Sequence, residues 1–168
     1  PTNRGFQPRG KQVNDPRGIW YTPVTGIWQT VWIEPVEKAY ITHLKTVPNV
    51  DGENIQVFAT TEGTFSSDII EVKVLENGNV VGSGKAAAGE EVLVAVPYAK
   101  LWSPETPFLY DMVISVLRDG KATDIVKSYF GMRKISTARD ENAVIRMQLN
   151  NEDYFHFGPL DQGWWPDG

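Results

Sequence analysis

The stretch Ile70-Glu71-Val72-Lys73-Val74-Leu75-Glu76-Asn77-Gly78-Asn79 decides the fold class. Ile70, Val72 and Val74 alternate with Glu71 and Lys73, and a period of two sends one set of side chains into a core and the other to solvent. Asn77-Gly78 then tolerates positive φ cheaply and suits a type I′ hairpin. The same grammar runs outward in both directions. Ile55, Val57 and Ala59 alternate with Gln56, Phe58 and Thr60, and Val92, Val94 and Val96 alternate with Leu93 and Ala95. Tyr110, Met112, Ile114 and Val116 continue it, and Asp119-Gly120 marks a second tight hairpin. Asn49-Val50-Asp51-Gly52 reads as a plain turn, because a calcium loop needs several more oxygen ligands in register.

Seven strands are expected near residues 39–47, 54–61, 69–76, 79–84, 91–96, 109–118 and 123–132. That number of short strands in about a hundred residues, without a helical period, indicates an all-β immunoglobulin-like sandwich. Between two of them, Pro97–Pro107, which contains Leu101-Trp102-Ser103-Pro104-Glu105-Thr106-Pro107, reads as a long connection with one helical turn, and Trp102 as a plug in the end of the core.

The chain has 168 residues, so the sandwich leaves material at both ends. Residues 1–18 lack periodicity. Gly18–Thr22 and Gly26–Val36 are rich in β-branched and aromatic residues and are expected to be strands, with Trp28 and Trp32 on one face, in a core or against a neighbouring domain. Beyond Lys134, strands are expected at Val144–Leu149 and Tyr154–Leu160, separated by an Asn150-Asn151 turn. The abrupt aromatic ending and the opening at Pro1 suggest a processed or excised segment.

Composition narrows the function classes. A net charge of −5 without a Lys/Arg cluster argues against a nucleic-acid surface. No apolar run approaches the roughly 20 residues of a membrane span. The absence of cysteine removes disulfides and thiol chemistry, and leaves the compartment open. His43 and His156 stand alone without ligand spacing, so neither a metal nor another cofactor is expected.

Four motifs resemble glycoside hydrolase family 2, whose members include β-galactosidases, β-mannosidases and β-glucuronidases. Gly26–Glu34 looks like the closing strands of that family's amino-terminal sugar-binding jelly roll. Leu101–Pro107 with Leu109-Tyr110 resembles its LWSPExPxLY signature, and Tyr129–Ile135 its FGxR segment. Leu149-Asn150-Asn151 and Gly158–Gly168 look like the hairpin and first strand that open a (β/α)8 barrel.

The resemblance implies three parts. Residues 1–37 would be a jelly-roll remnant, 38–135 the sandwich, and 136–168 the start of a truncated barrel. It also implies a parent that is a retaining glycosidase acting on an oligo- or polysaccharide. Such enzymes use two carboxyl groups about 5–5.5 Å apart. In this family both are glutamates on later barrel strands, and neither matches a position here. Glu34, Glu105 and Glu141 read as surface or turn carboxylates, and the segment itself is expected to be inactive.

In the parent, Asp161 and Gln162 would reach the mouth of the barrel, where loops after the strands build the active site. There they would bond sugar hydroxyls, with Trp164 or Trp165 against a pyranose face. The alternative is that Asp161 caps a turn and the tryptophans pack beneath the next helix. An unpaired barrel strand also invites self-association. Two other readings stay open: a stand-alone carbohydrate-binding module using exposed tryptophans such as Trp20, Trp28 or Trp164, and a cell-surface interaction domain.

Overall fold

The computed structural model describes residues 10–24, 26, 27 and 29–161. The chain divides into two compact units, one of Pro35–His156 and one that joins Pro1–Glu34 with Phe157–Gly168.

In the first unit, seven strands make the expected sandwich. β1 (Tyr40–Asn49), β2 (Asn54–Glu62) and β5 (Val92–Ala95) form a sheet ordered β1-β2-β5. β3 (Ile69–Glu76), β4 (Asn79–Ala87), β6 (Tyr110–Arg118) and β7 (Lys121–Phe130) form the other, ordered β4-β3-β6-β7. All the pairings are antiparallel. The alternating residues do as their period requires. Ile55, Val57, Ile70, Val72, Val94 and Ile114 are fully buried, each contributing about 1.5–3 kcal/mol over an exposed position. Glu71 and Lys73 face outward, and Glu71 bonds Lys85 directly across the ladder at 2.8 Å. Both hairpins are built as the dipeptides demand, with φ of 50° and 82° at Asn77-Gly78 and 50° and 76° at Asp119-Gly120.

Two glycines let the sheets meet closely. A Cβ on Gly82 would lie 2.4 Å from the Ala95 carbonyl oxygen, and one on Gly84 2.5 Å from that of Leu93. The backbone of β4 therefore runs against that of β5, where any side chain would collide with main-chain atoms.

Asp68, only 1% exposed, anchors the connection into β3. Its carboxylate accepts from Arg118 Nε and Nη2, at 2.9 and 2.6 Å, and from the Phe65 N–H at 2.8 Å. The same guanidinium lies 4.4 Å from the Phe65 ring centre and donates to the Gly63 carbonyl at 3.1 Å. Gly63 has no freedom there: φ is +67°, and a Cβ would sit 1.8 Å from the Lys38 carbonyl oxygen.

The flanks correct the sequence reading in three places. Gly18–Thr22 and Gly26–Val36 form no strand among the described residues; Tyr21 makes only an isolated bridge to Gln12. Trp32 is 72% exposed and so lies in no core of this chain, and Trp28 lies outside the described residues. Tyr154–Leu160 is not a strand. Ladder pairing stops after β10 (Glu152–Asp153), and Phe155, Phe157 and Leu160 are exposed. Apolar alternation marks side chains suited to burial, but a strand also needs a hydrogen-bonded neighbour. None of the described residues supplies one here. The connection at 97–107 contains no helical turn.

The segment that does pair is a small third sheet, β10-β9-β8, from β8 (Ile135–Arg139), β9 (Ile145–Leu149) and β10. Asn150 and Asn151, at φ of 54° and 71°, make the turn between β9 and β10.

Hydrogen bonds from Arg118 and Phe65 hold the Asp68 carboxyl at about 2, below its ordinary 3.8. Because the folded value is depressed, the stabilisation is fully present above pH 3.8 and is lost as pH falls through about 2. The stability gap between wild type and Asp68→Asn, read from urea midpoints, is expected to be constant above that upper value and to narrow below it.

Candidate functional site

The long connection before β6 is the best-anchored irregular segment of the sandwich. Trp102 N–H donates to the Met132 carbonyl at 2.9 Å, just past the end of β7. Its indole lies against Gly131, where a Cβ would meet ring atoms at 3.2 and 3.3 Å. Arg133 stacks on the ring from 4.8 Å. The expected core plug is thus half-buried, covering the end of β7 from outside. Further along, Ser103 Oγ accepts from the Thr106 N–H at 3.1 Å. Tyr110 then takes the chain back inside: its hydroxyl accepts from the Lys100 N–H at 2.8 Å while its ring stacks on Phe130.

The third sheet grips this connection at two points. Asn150 Nδ2 donates to the Trp102 carbonyl at 3.0 Å. The same residue closes on Lys134, its Oδ1 accepting from the Lys134 N–H at 3.0 Å and its own N–H donating to the Lys134 carbonyl at 2.8 Å. The second point is Glu105, which accepts from the Tyr154 hydroxyl at 2.8 Å. That bond lowers the Glu105 carboxyl and raises the Tyr154 phenol. Alongside, Lys134 Nζ reaches Asp51 at 2.5 Å and Asn151 at 2.7 Å, and Asn151 donates to Asp51 at 2.8 Å. Asp51 is held below its usual range, first by Lys134 and then by Asn151.

Beside this junction a groove of about 370 Å³ opens between β1 and β7, the outer strands of the two sheets. Towards the start of β1 the gap is closed, because Asp124 accepts from the Ile41 N–H at 2.8 Å. Towards the end of β1 it widens, with Thr46 and Pro48 on one wall and Tyr129, Phe130 and Gly131 on the other. Trp102, Leu109 and Arg133 complete the lining.

Of the residues expected to line a sugar site, only Asp161 is described, and it is exposed. Gln162, Trp164 and Trp165 lie outside the described residues. Glu34, Glu105 and Glu141 are all exposed. The groove had no sequence signal of its own, since Thr46, Trp102, Tyr129 and Arg133 come from three separate parts of the chain. Arg133 stands out in the sequence only as a member of a motif, and Trp102 only as a motif residue and an expected core plug.

A family model described as "Glycosyl hydrolases family 2" matches residues 39–133, which are the sandwich. The β-galactosidase BoGH2A of Bacteroides ovatus is 26% identical over 145 residues, covering 76% of this chain and 17% of that protein. Among solved structures, the β-glucuronidase from Ruminococcus gnavus in complex with D-glucuronic acid matches with a TM-score of 0.54 and 18% identity. The match covers 70% of this chain and 19% of that one. The FMN-binding β-glucuronidase from Facaelibacterium prausnitzii L2-6 gives a TM-score of 0.54 at 19% identity, over the same shares. The chain thus spans about a fifth or less of the length of these proteins. The family match takes in more than half of the chain and coincides with the seven-strand sandwich, so the chain belongs to glycosyl hydrolases family 2.

Proposed function

We propose that this chain is a non-catalytic part of a retaining glycoside hydrolase, in which the sandwich braces a catalytic barrel. The observation that carries the reading is the coincidence of the family match with the sandwich alone, in a chain that spans 17% of its β-galactosidase relative. The double grip of Asn150 and Tyr154 on the 101–107 connection supports the bracing role, because it fixes the direction in which the chain leaves the sandwich. So does the face of the third sheet that carries Ile135, Ile145 and Met147, each at least half exposed and suited to burial by a further domain.

In this reading residues 1–37 belong to a sugar-binding jelly roll, 38–135 to the sandwich and 136–168 to the start of the barrel. Asp161, Gln162, Trp164 and Trp165 then line the substrate site of the whole enzyme, whose substrate is an oligo- or polysaccharide. The open edges of β8 and β10 make pairing with a second copy part of the same picture. A second reading, a carbohydrate-binding module, is favoured by the exposure of Trp20 and Trp32, at 45% and 72%. Quenching of tryptophan fluorescence by oligosaccharide separates the two.

The 168-residue chain is expected to release no aryl alcohol from aryl β-galactosides, β-glucuronides or β-mannosides. Turnover by the purified chain, abolished by replacing one of its own carboxylates, would overturn the reading. Asn150→Ala removes the partners of the Trp102 carbonyl and the Lys134 N–H, and is expected to cost about 1–3 kcal/mol in urea unfolding. In the whole enzyme, Asp161→Ala is expected to raise KM or lower kcat at unchanged thermal stability. Unaltered values of both would remove it from the substrate site.

A further inference from the structure

The groove between β1 and β7 has the makings of a ligand site separate from any barrel. Its volume of about 370 Å³ falls within the range of small-molecule sites, roughly 300–1,000 Å³. Its walls are largely apolar, from Pro48, Trp102, Leu109, Tyr129 and Phe130. The Tyr129 ring is 65% exposed, so a face remains open for stacking. Where Gly131 lies, the wall has no side chain.

The charge in the groove selects the ligand. Arg133 is the one ionisable side chain with a fixed charge in the lining, and no carboxylate pairs with it among the described residues. Its guanidinium instead lies over the Trp102 ring, 4.8 Å from the ring centre, a contact that restrains the donor fork. Lys45, Lys121, Lys127 and Arg139 also stand in no ion pair among the described residues, but of these cations only Arg133 lines the groove, in a chain of net charge −5. An unneutralised cation among apolar walls in an acidic protein favours an anion over a neutral guest. A planar fork suits a carboxylate, as it does a phosphate, and the carbohydrate reading above selects the carboxylate.

From these features we propose that the groove binds a carboxylate-bearing sugar, a uronate-type pyranoside. The carboxylate sits on Arg133, the less polar ring face lies on Tyr129, and Thr46 bonds a ring hydroxyl. This rests on the carbohydrate reading above, and it places a non-catalytic contact for acidic sugar on the sandwich itself.

The test uses the 168-residue chain labelled with ¹⁵N and titrated with methyl β-glucuronide, methyl β-glucoside and acetate. The glucuronide is expected to bind with a Kd of roughly millimolar order, the scale for a ligand of its size. Binding should shift the amides of Tyr129, Gly131 and Arg133 and the Trp102 indole. The glucoside, which carries a hydroxymethyl group where the glucuronide has its carboxylate, should bind about tenfold more weakly or worse. Arg133→Gln should weaken the glucuronide by a similar factor, and Arg133→Lys, which keeps the charge and the stem, by less. Tyr129→Ser, at an exposed position, should weaken both sugars together.

Equal affinity for the glucuronide and the glucoside would overturn the proposal. So would shifts confined to residues outside the groove, or acetate binding as tightly as the glucuronide. If Arg133→Gln lowers the melting temperature, Arg133→Lys and Tyr129→Ser decide, because neither empties the space over Trp102. Hydrolysis is measured separately, so failure of the groove would leave the family assignment and the bracing role untouched.

Discussion

Both peptide groups of Trp102 are tied to chain far away in sequence. Its N–H donates to the Met132 carbonyl and its carbonyl accepts from Asn150. These two bonds hold a proline-rich connection, which has no regular structure of its own, across the end of β7. The indole can then cover Gly131, Arg133 can stack on the indole, and the small sheet that follows has a fixed point of attachment. Without them the groove loses one wall and β8 loses its starting position. Each bond is worth only about 0.5–1.5 kcal/mol net. Their effect is geometric, because they join segments already constrained by the core.

A second constraint works at the loop that enters β3. Asp68 is almost wholly enclosed, yet Arg118 and the Phe65 N–H satisfy it. A buried carboxylate is tolerated only when its partners are in place, so this acid ties the 63–68 loop to the end of β6. The loop is thereby set by charge and the rest of the sandwich by apolar packing. That division explains why acid should loosen the loop before it disturbs the core.

The core was legible because burial has a period. Ile70, Val72 and Val74, or Met112, Ile114 and Val116, announce their face by position alone, and Asn77-Gly78 and Asp119-Gly120 announce the turns between them. The flanks misled for the same reason. Ile27, Val31 and Ile33, or Phe155 and Phe157, carry strand-like composition, but composition does not provide the neighbouring strand that a ladder requires. Long-range polar contacts gave no local signal at all. Asp68 and Arg118 stand 50 residues apart, and Asn151 and Asp51 are separated by 100. Asn150 was visible as a turn residue and as part of a motif, but its three-way bonding depends on the fold already being formed.

Gly82 and Gly84 have a consequence for how the molecule survives in a crowded solution. Strand β5 is only four residues long and ends its sheet, so by itself it would offer a bare row of peptide groups to any passing chain. The backbone of β4 lies so near Leu93 and Ala95 that no side chain fits between. The two glycines give up β-propensity and, in exchange, close that flank of the sandwich to intruding strands. The opposite flank, where β1 and β7 diverge around the groove, lacks that closure, as do the edges of β8 and β10.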